Sequence, residues 1–227
     1  MNTVKSMKVR MDKEDIGNLR EIEKPIDIRS YAFDKKIHQK KIIDYHCDRL
    51  MIKDHLLASD IHLEVYSTDK IVILGRNGVG KSTMIKDLAK QNNLSVMHQD
   101  YRLNLDYSKS AVENLWQDGK KETLTNITSH LGSLNFRDFE MGLPVEQLSG
   151  GQRAKLSLLK CILEKPEILV LDEPTRNLSP LSVNVIYKLI QDFEGAVLAI
   201  SHDQAFIDSC FTCIMVLEET GLYKLES

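Results

Sequence analysis

No run of about 18 apolar residues occurs anywhere in this 227-residue chain, so it is not expected to span a membrane by itself. It has almost no net charge: 30 Lys and Arg stand against 33 Asp and Glu, leaving −3. That removes the global basic field that bulk nucleic-acid binding requires, although local patches remain open. Cysteine is scarce. Cys47, Cys161, Cys210 and Cys213 are too few for a disulfide scaffold, and nothing at the N-terminus reads as a signal peptide, so a reducing cytoplasm is the expected setting. The sequence Cys210-Phe211-Thr212-Cys213 has no second cysteine pair and no flanking histidines, which favours buried structural thiols over a zinc site.

What is present is organised around Ile71 to Thr83, IVILGRNGVGKST. Four apolar residues end at Gly75, and Gly80-Lys81-Ser82 opens a segment in which Met84, Ile85, Leu88 and Ala89 recur at helical spacing. Strand, glycine-rich loop and helix in that order make a phosphate-binding loop; a tight turn with a chance match is the alternative. Glycine lets the backbone turn sharply and aim successive N–H groups at one anion, and the helix N-terminus adds partial positive charge. Lys81 is expected to reach the β and γ phosphates of a nucleoside triphosphate, and Ser82 to hold Mg²⁺.

At this length one large domain, or a domain with an appendage, is expected, burying roughly 70–75% of its extended-chain surface. From Val4 to Glu23 charges of both signs interleave with sparse apolar residues, which suits an exposed helix ending at Pro25. From Ile26 to Tyr66 the pattern predicts short strands at Ile26/Ile28, Ile42-Ile43, Leu50-Met51-Ile52 and Ile61/Leu63/Val65, an antiparallel sheet with one wet face. Lys35, Lys36, Lys40 and Lys41 fit either a phosphate-facing patch or a solvated, lysine-protected edge.

A second strand is expected from Leu94 to Met97. Gln99, just past its carboxyl end, would point into the crevice where parallel sheets bind ligands. Asn104 to Glu146 reads as mostly helical, with Ser110 as a cap and Leu124, Ile127 and Leu131 on one face; Trp116 reads as core or interface anchor. Leu148-Ser149-Gly150-Gly151-Gln152 then precedes a helix, a second anion-binding device. The strand Ile168 to Leu171 ends in Asp172-Glu173. The first carboxylate suits Mg²⁺ through water and the second suits activation of a nucleophilic water, unless both merely sit in an ordinary turn. Pro180 suits the first turn of a further helix, and the strand Ala196 to Ile200 delivers Ser201-His202-Asp203, where His202 is the residue type that senses or polarises a γ-phosphate.

GRNGVGKST, Gln99, LSGGQ, ILVLDEP and His202 stand in the order of the ABC-type ATPase domain, which the chain resembles over most of Asp60 to Asp203. The resemblance implies an α/β fold: a P-loop NTPase core, an antiparallel β subdomain and an inserted helical subdomain at about residues 104–147. ATP is then sandwiched between two such domains, head to tail, and hydrolysed with Mg²⁺. One domain would bring Gly75, Arg76, Asn77, Gly78, Val79, Gly80, Lys81, Ser82 and Thr83; the other would bring Ser149, Gly150, Gly151 and Gln152. Lys81, Gln99, Glu173 and His202 are the implied catalytic residues, and Ser82, Gln99 and Asp172 the implied metal residues. Lys5-Ser6-Met7, Arg10 and Glu23-Lys24-Pro25 look like the tail of the linker, residues 1–25, that joins the two halves of ABC-F proteins. Residues 26–227 would then be similar to the C-terminal ATPase half. The family implies a soluble, cytoplasmic translation or antibiotic-resistance factor whose partners are a second ABC domain and the ribosome. The alternative is the ATP-binding subunit of a membrane transporter, touching the membrane only through a partner.

Two departures stand out. Arg176-Asn177-Leu178-Ser179 replaces the usual Asn-His-Leu-Asp, so Ser179 stands for the aspartate that couples the two sites. The aromatic residue that stacks on adenine is not evident, with Leu50 and Ile52 near its expected place and Tyr45 a poor fit; weak base discrimination is the expected consequence.

Overall fold

The computed structural model describes residues 40–92, 94–176 and 178–225. The expected linker helix, the strand at Ile26/Ile28, Lys35, Lys36 and Asn177 lie outside the described residues. The chain first forms a two-stranded antiparallel sheet from β1 (Lys41–Ile52) and β2 (His55–Tyr66). Three of the expected short strands are thus parts of two long ones. Asp44, His46 and Asp48 interrupt the apolar pattern of β1, but they occupy the outward positions of one alternating strand, while Ile43 and Tyr45 point inward; Leu50, of the outward parity, is buried beside the register shift between Leu50 and Met51. Lys41 lies on the solvated side and bonds Asp44 and Glu64, each at 2.7 Å, in keeping with a lysine-protected edge.

The six-stranded sheet has the order β4-β5-β6-β3-β7-β8, with β3 (Lys70–Leu74), β4 (Val96–Met97), β5 (Ile168–Asp172), β6 (Ala196–Ile200), β7 (Cys213–Glu218) and β8 (Gly221–Lys224). All pairs are parallel except β7 with β8. Parallel neighbours require crossovers, and helices supply them. They are α1 (Lys81–Asn92), α2 (Ala111–Leu115), α3 (Lys121–Ser133), α4 (Asp138–Met141), α5 (Gly150–Leu163), α6 (Pro180–Asp192) and α7 (Gln204–Cys210).

Alternate strand residues feed two cores. Ile168, Val170, Leu198 and Ile200 pack with Met84, Ile85 and Leu88 of α1 and with the β1–β2 hairpin. Leu169, Leu171, Val197 and Ala199 pack with α5, α6 and the helices before them. A sheet buried on both faces accounts for the nearly unbroken apolar runs of β3, β5 and β6. Tyr45 is fully buried, and its hydroxyl donates to Asp87 Oδ2 at 2.8 Å, tying the hairpin to α1. Lys70, at the start of β3, donates to the carbonyls of Phe193 (2.6 Å) and Gly195 (3.0 Å), a cation at the carboxyl end of α6.

The strand expected over Leu94–Met97 shortens to Val96–Met97. Leu94 N–H still bonds back to Ala89 O, and Asn104 takes both chain ends, accepting from His98 N–H and donating to Val96 O. Between there and residue 147 lie two 3₁₀ turns and α2–α4. Ser110 caps α2 through a reciprocal box with Glu113. Trp116 packs against the core and donates its indole N–H to Lys120 O, as an anchor would. Cys210 is buried, Cys213 half-buried, and both are free thiols. Among the described residues no helix is long and apolar enough to cross a membrane.

Candidate functional site

The carboxyl ends of β3, β5 and β6 open onto one cavity of about 400 Å³. Its apolar end is lined by Ile52 and Leu57, and its polar end by Lys81, Ser82, Gln99, Asp172, Glu173 and His202. A larger hollow of about 730 Å³ lies on the other side of the glycine loop, against the β7–β8 turn, but holds none of those six side chains.

The loop is shaped by positions that tolerate little besides glycine. Gly75 lies at φ +145°, where a Cβ would overlap the carbonyl oxygen of Leu217; Gly80 lies at φ +107°, tight against Leu50 and Leu57. Gly78, at φ +85°, leaves open space, and Asn77, Gly78, Gly80 and Thr83 line the cavity. Val79 is tucked inward and its N–H bonds Arg76 O. Lys81 is buried, and its ammonium lies across the loop, donating to Gly75 O (2.7 Å) and Arg76 O (3.1 Å). Burial holds its pKa below the ordinary lysine value, and the nearby Glu173 and Asp172 charges oppose that shift.

One helical turn holds Ser82 so that its Oγ donates to Asp172 Oδ1 at 3.1 Å, across 90 residues of sequence. A hydroxyl and a carboxylate are the oxygen donors that suit Mg²⁺, so this pair fits the ion. Glu173 adopts φ +53°, a left-handed conformation that costs a side-chain-bearing residue about 1–3 kcal/mol. Its N–H anchors on Ile200 O, and Arg176 N–H closes a turn onto its carbonyl. The carboxylate thereby faces His202, with Nε2 3.6 Å from Oε1. Partial burial raises the Glu173 pKa, opposed chiefly by His202.

Gln99 reaches the same cavity, but its amide oxygen meets Arg176 Nε (3.1 Å) and Nη1 in the orientation that satisfies both groups. The sequence marks Arg176 only as a departure from the family pattern; its place beside Gln99 depends on the turn set by Glu173. Leu50 is a core residue, whereas Ile52, 51% exposed, lines the cavity. Tyr45, with its hydroxyl on Asp87, is core too.

Ser149 to Gln152 lie elsewhere. Ser149 caps α5 through a reciprocal box with Gln152, and a Cβ on Gly151 would collide with Ser182 of α6. None of the four lines the Lys81 cavity; Gly150 borders a separate one of about 230 Å³, beside Gln99 and Arg176. Ser179 caps α6 by accepting from Ser182 N–H, so serine keeps the helix start that aspartate would also give, without the charge.

The family model described as ABC transporter matches residues 89–176. The ATP-binding protein Uup of Escherichia coli is 32% identical over 182 residues, covering 73% of this chain and 28% of that protein. Protein GCN20 of Saccharomyces cerevisiae is 28% identical over 234 residues, 96% of this chain and 30% of that protein. ABC transporter F family member 5 of Arabidopsis thaliana is 30% identical, over 74% of this chain and 26% of that protein. The chain thus spans less than a third of these relatives. Among solved structures, the dimeric post-hydrolysis state of the ATP-binding cassette MJ0796 bound to ADP and Pi matches with a TM-score of 0.63 at 18% identity, over 83% of this chain and 99% of that one. By its fold and these relatives, the chain belongs to the ATP-binding domains of the ABC family, with homologues among Uup, GCN20 and the F-family members.

Proposed function

We propose that this domain binds MgATP and hydrolyses it as one half of a head-to-tail pair of ABC domains, within an ABC-F protein acting on the ribosome. The cavity that gathers Lys81, Ser82, Gln99, Asp172, Glu173 and His202 carries this reading. The loop N–H groups and Lys81 ammonium bind the phosphates, the ammonium turning from its two carbonyls onto phosphate oxygen. Ser82 and Asp172 hold Mg²⁺, which when bound offsets charge on the phosphate oxygens. Glu173 takes a proton from the attacking water. The water oxygen bonds the terminal phosphorus, the bond to the bridging oxygen breaks, and ADP and phosphate leave. His202 steers the Glu173 carboxylate, and Gln99 and Arg176 face the same polar end.

The separation of Ser149–Gln152 from the Lys81 cavity within one chain supports the two-domain requirement, since an anion device on a second copy is free to close the first. The ribosomal role rests on the F-family relatives and the resemblance of residues 1–25 to an ABC-F linker. A phosphate-release assay over a range of chain concentrations tests the shared site. Turnover per chain is expected to rise with concentration; hydrolysis at a constant rate per chain on dilution would mean that one chain holds the whole site.

A further inference from the structure

On the outer face of the hairpin, far along β1 from the turn, three metal-ligating side chains converge. Antiparallel pairing sets His46 directly opposite His62, and Asp44 stands two residues before His46 on the same face. The two imidazoles stack with centroids 4.0 Å apart and planes 18° from parallel. Their Nε2 atoms point to one atom, Asp44 Oδ1, at 2.9 Å from His46 and 3.4 Å from His62. All three donor atoms lie within 4.8 Å of one another. Tetrahedral zinc with bonds near 2.0–2.1 Å separates its ligands by roughly 3.3 Å, so small side-chain rotations would admit the ion.

The carboxylate is held from behind. Asp44 Oδ2 accepts from Lys41 Nζ at 2.7 Å, and the same ammonium bonds Glu64, the register partner of Asp44. An outer partner of this kind orients a ligating carboxylate and leaves its other oxygen directed at the imidazoles. With neutral imidazoles, Asp44, Glu64 and Lys41 sum to one negative charge, which favours a dication.

We propose that Asp44, His46 and His62 form a binding site for a borderline transition-metal dication of the Zn²⁺ class, through two imidazole nitrogens and one carboxylate oxygen, with solvent completing the shell. Two imidazoles select this class over Mg²⁺ or Ca²⁺, which prefer all-oxygen sets. The site shares no residue with the nucleotide cavity and does not rest on the ATPase reading. Its ion would pin β1 to β2 in register, in the same hairpin whose turn brings Ile52 and Leu57 to that cavity.

The test is Zn²⁺ titration of the purified, metal-stripped chain at neutral pH without nucleotide, using a chromophoric chelator as competitor. One Zn²⁺ per chain is expected, with affinity lowered about tenfold or more in His62→Ala and Asp44→Asn and unchanged in His55→Ala. These side chains are exposed, so the variants fold. Co²⁺ substitution should give visible bands without thiolate-to-metal charge transfer, separating this site from one that uses Cys47 beside His46. No uptake, equal uptake by the His46→Ala/His62→Ala double variant, or a thiolate band would each overturn the proposal.

Discussion

Replacing Glu173 by Gln is expected to leave MgATP bound while lowering steady-state turnover by about 10²–10⁴-fold, the range that a positioned general base contributes. The substitution keeps the side-chain shape and the turn that holds position 173 at φ +53°, with its N–H on Ile200 O. It removes only the group that can take the proton. The native enzyme should also show an acid limb displaced to higher pH. Burial raises the Glu173 pKa, so the carboxylate is ionised and competent only above a pH higher than an exposed glutamate would need. Turnover therefore rises with pH through that limb, and the limb should be missing from any residual activity of Glu173→Gln. Phosphate release measured across pH, beside nucleotide binding by the same variant, checks both parts. Equal turnover in variant and parent would remove Glu173 from the mechanism.

Lys81→Ala is expected to act on binding instead. The ammonium is buried at the floor of the cavity and, without nucleotide, is satisfied by the carbonyls of Gly75 and Arg76. A charge-assisted bond to phosphate in such a site is worth more than one in water, and its loss should weaken ATP affinity by about 10–100-fold, corresponding to about 1.5–3 kcal/mol. Binding of AMP, which lacks the outer phosphates, should change little. Affinities for ATP and AMP measured side by side on the parent and the variant separate loss of a phosphate contact from a collapsed loop, which would weaken both.

Much of this site is legible in the sequence because its residues sit where strands end. An apolar run followed by Gly75, Asp172 or Ser201 marks the carboxyl end of β3, β5 or β6, and the parallel order of those strands brings Lys81, Glu173 and His202 to one edge. Gln99 follows the same rule after β4. What escaped that reading depends on geometry with no linear pattern. Arg176 reaches Gln99 only because Glu173 turns the chain in the left-handed region. Leu50 and Ile52 share a parity, yet Leu50 is buried and Ile52 is exposed at the cavity, because the β1–β2 register shifts between Leu50 and Met51, an irregularity with no linear signal. The Asp44–His46–His62 cluster exists through cross-strand register, so residues 16 apart in sequence become neighbours. Ser179 shows the reverse: its helix-capping role is readable from its place before Pro180, while the effect of the missing carboxylate on a second domain lies outside one chain.

The claim that the Lys81 cavity is a nucleoside triphosphate site is tested most directly by calorimetric titration of the chain with ATP and AMP, each with Mg²⁺ and with EDTA. The expected result is one ATP per chain, bound more tightly with Mg²⁺ than without and far more tightly than AMP, with the Mg²⁺ dependence lost in Asp172→Asn. ATP and AMP binding alike, or ATP binding indifferent to both Mg²⁺ and Asp172, would contradict it.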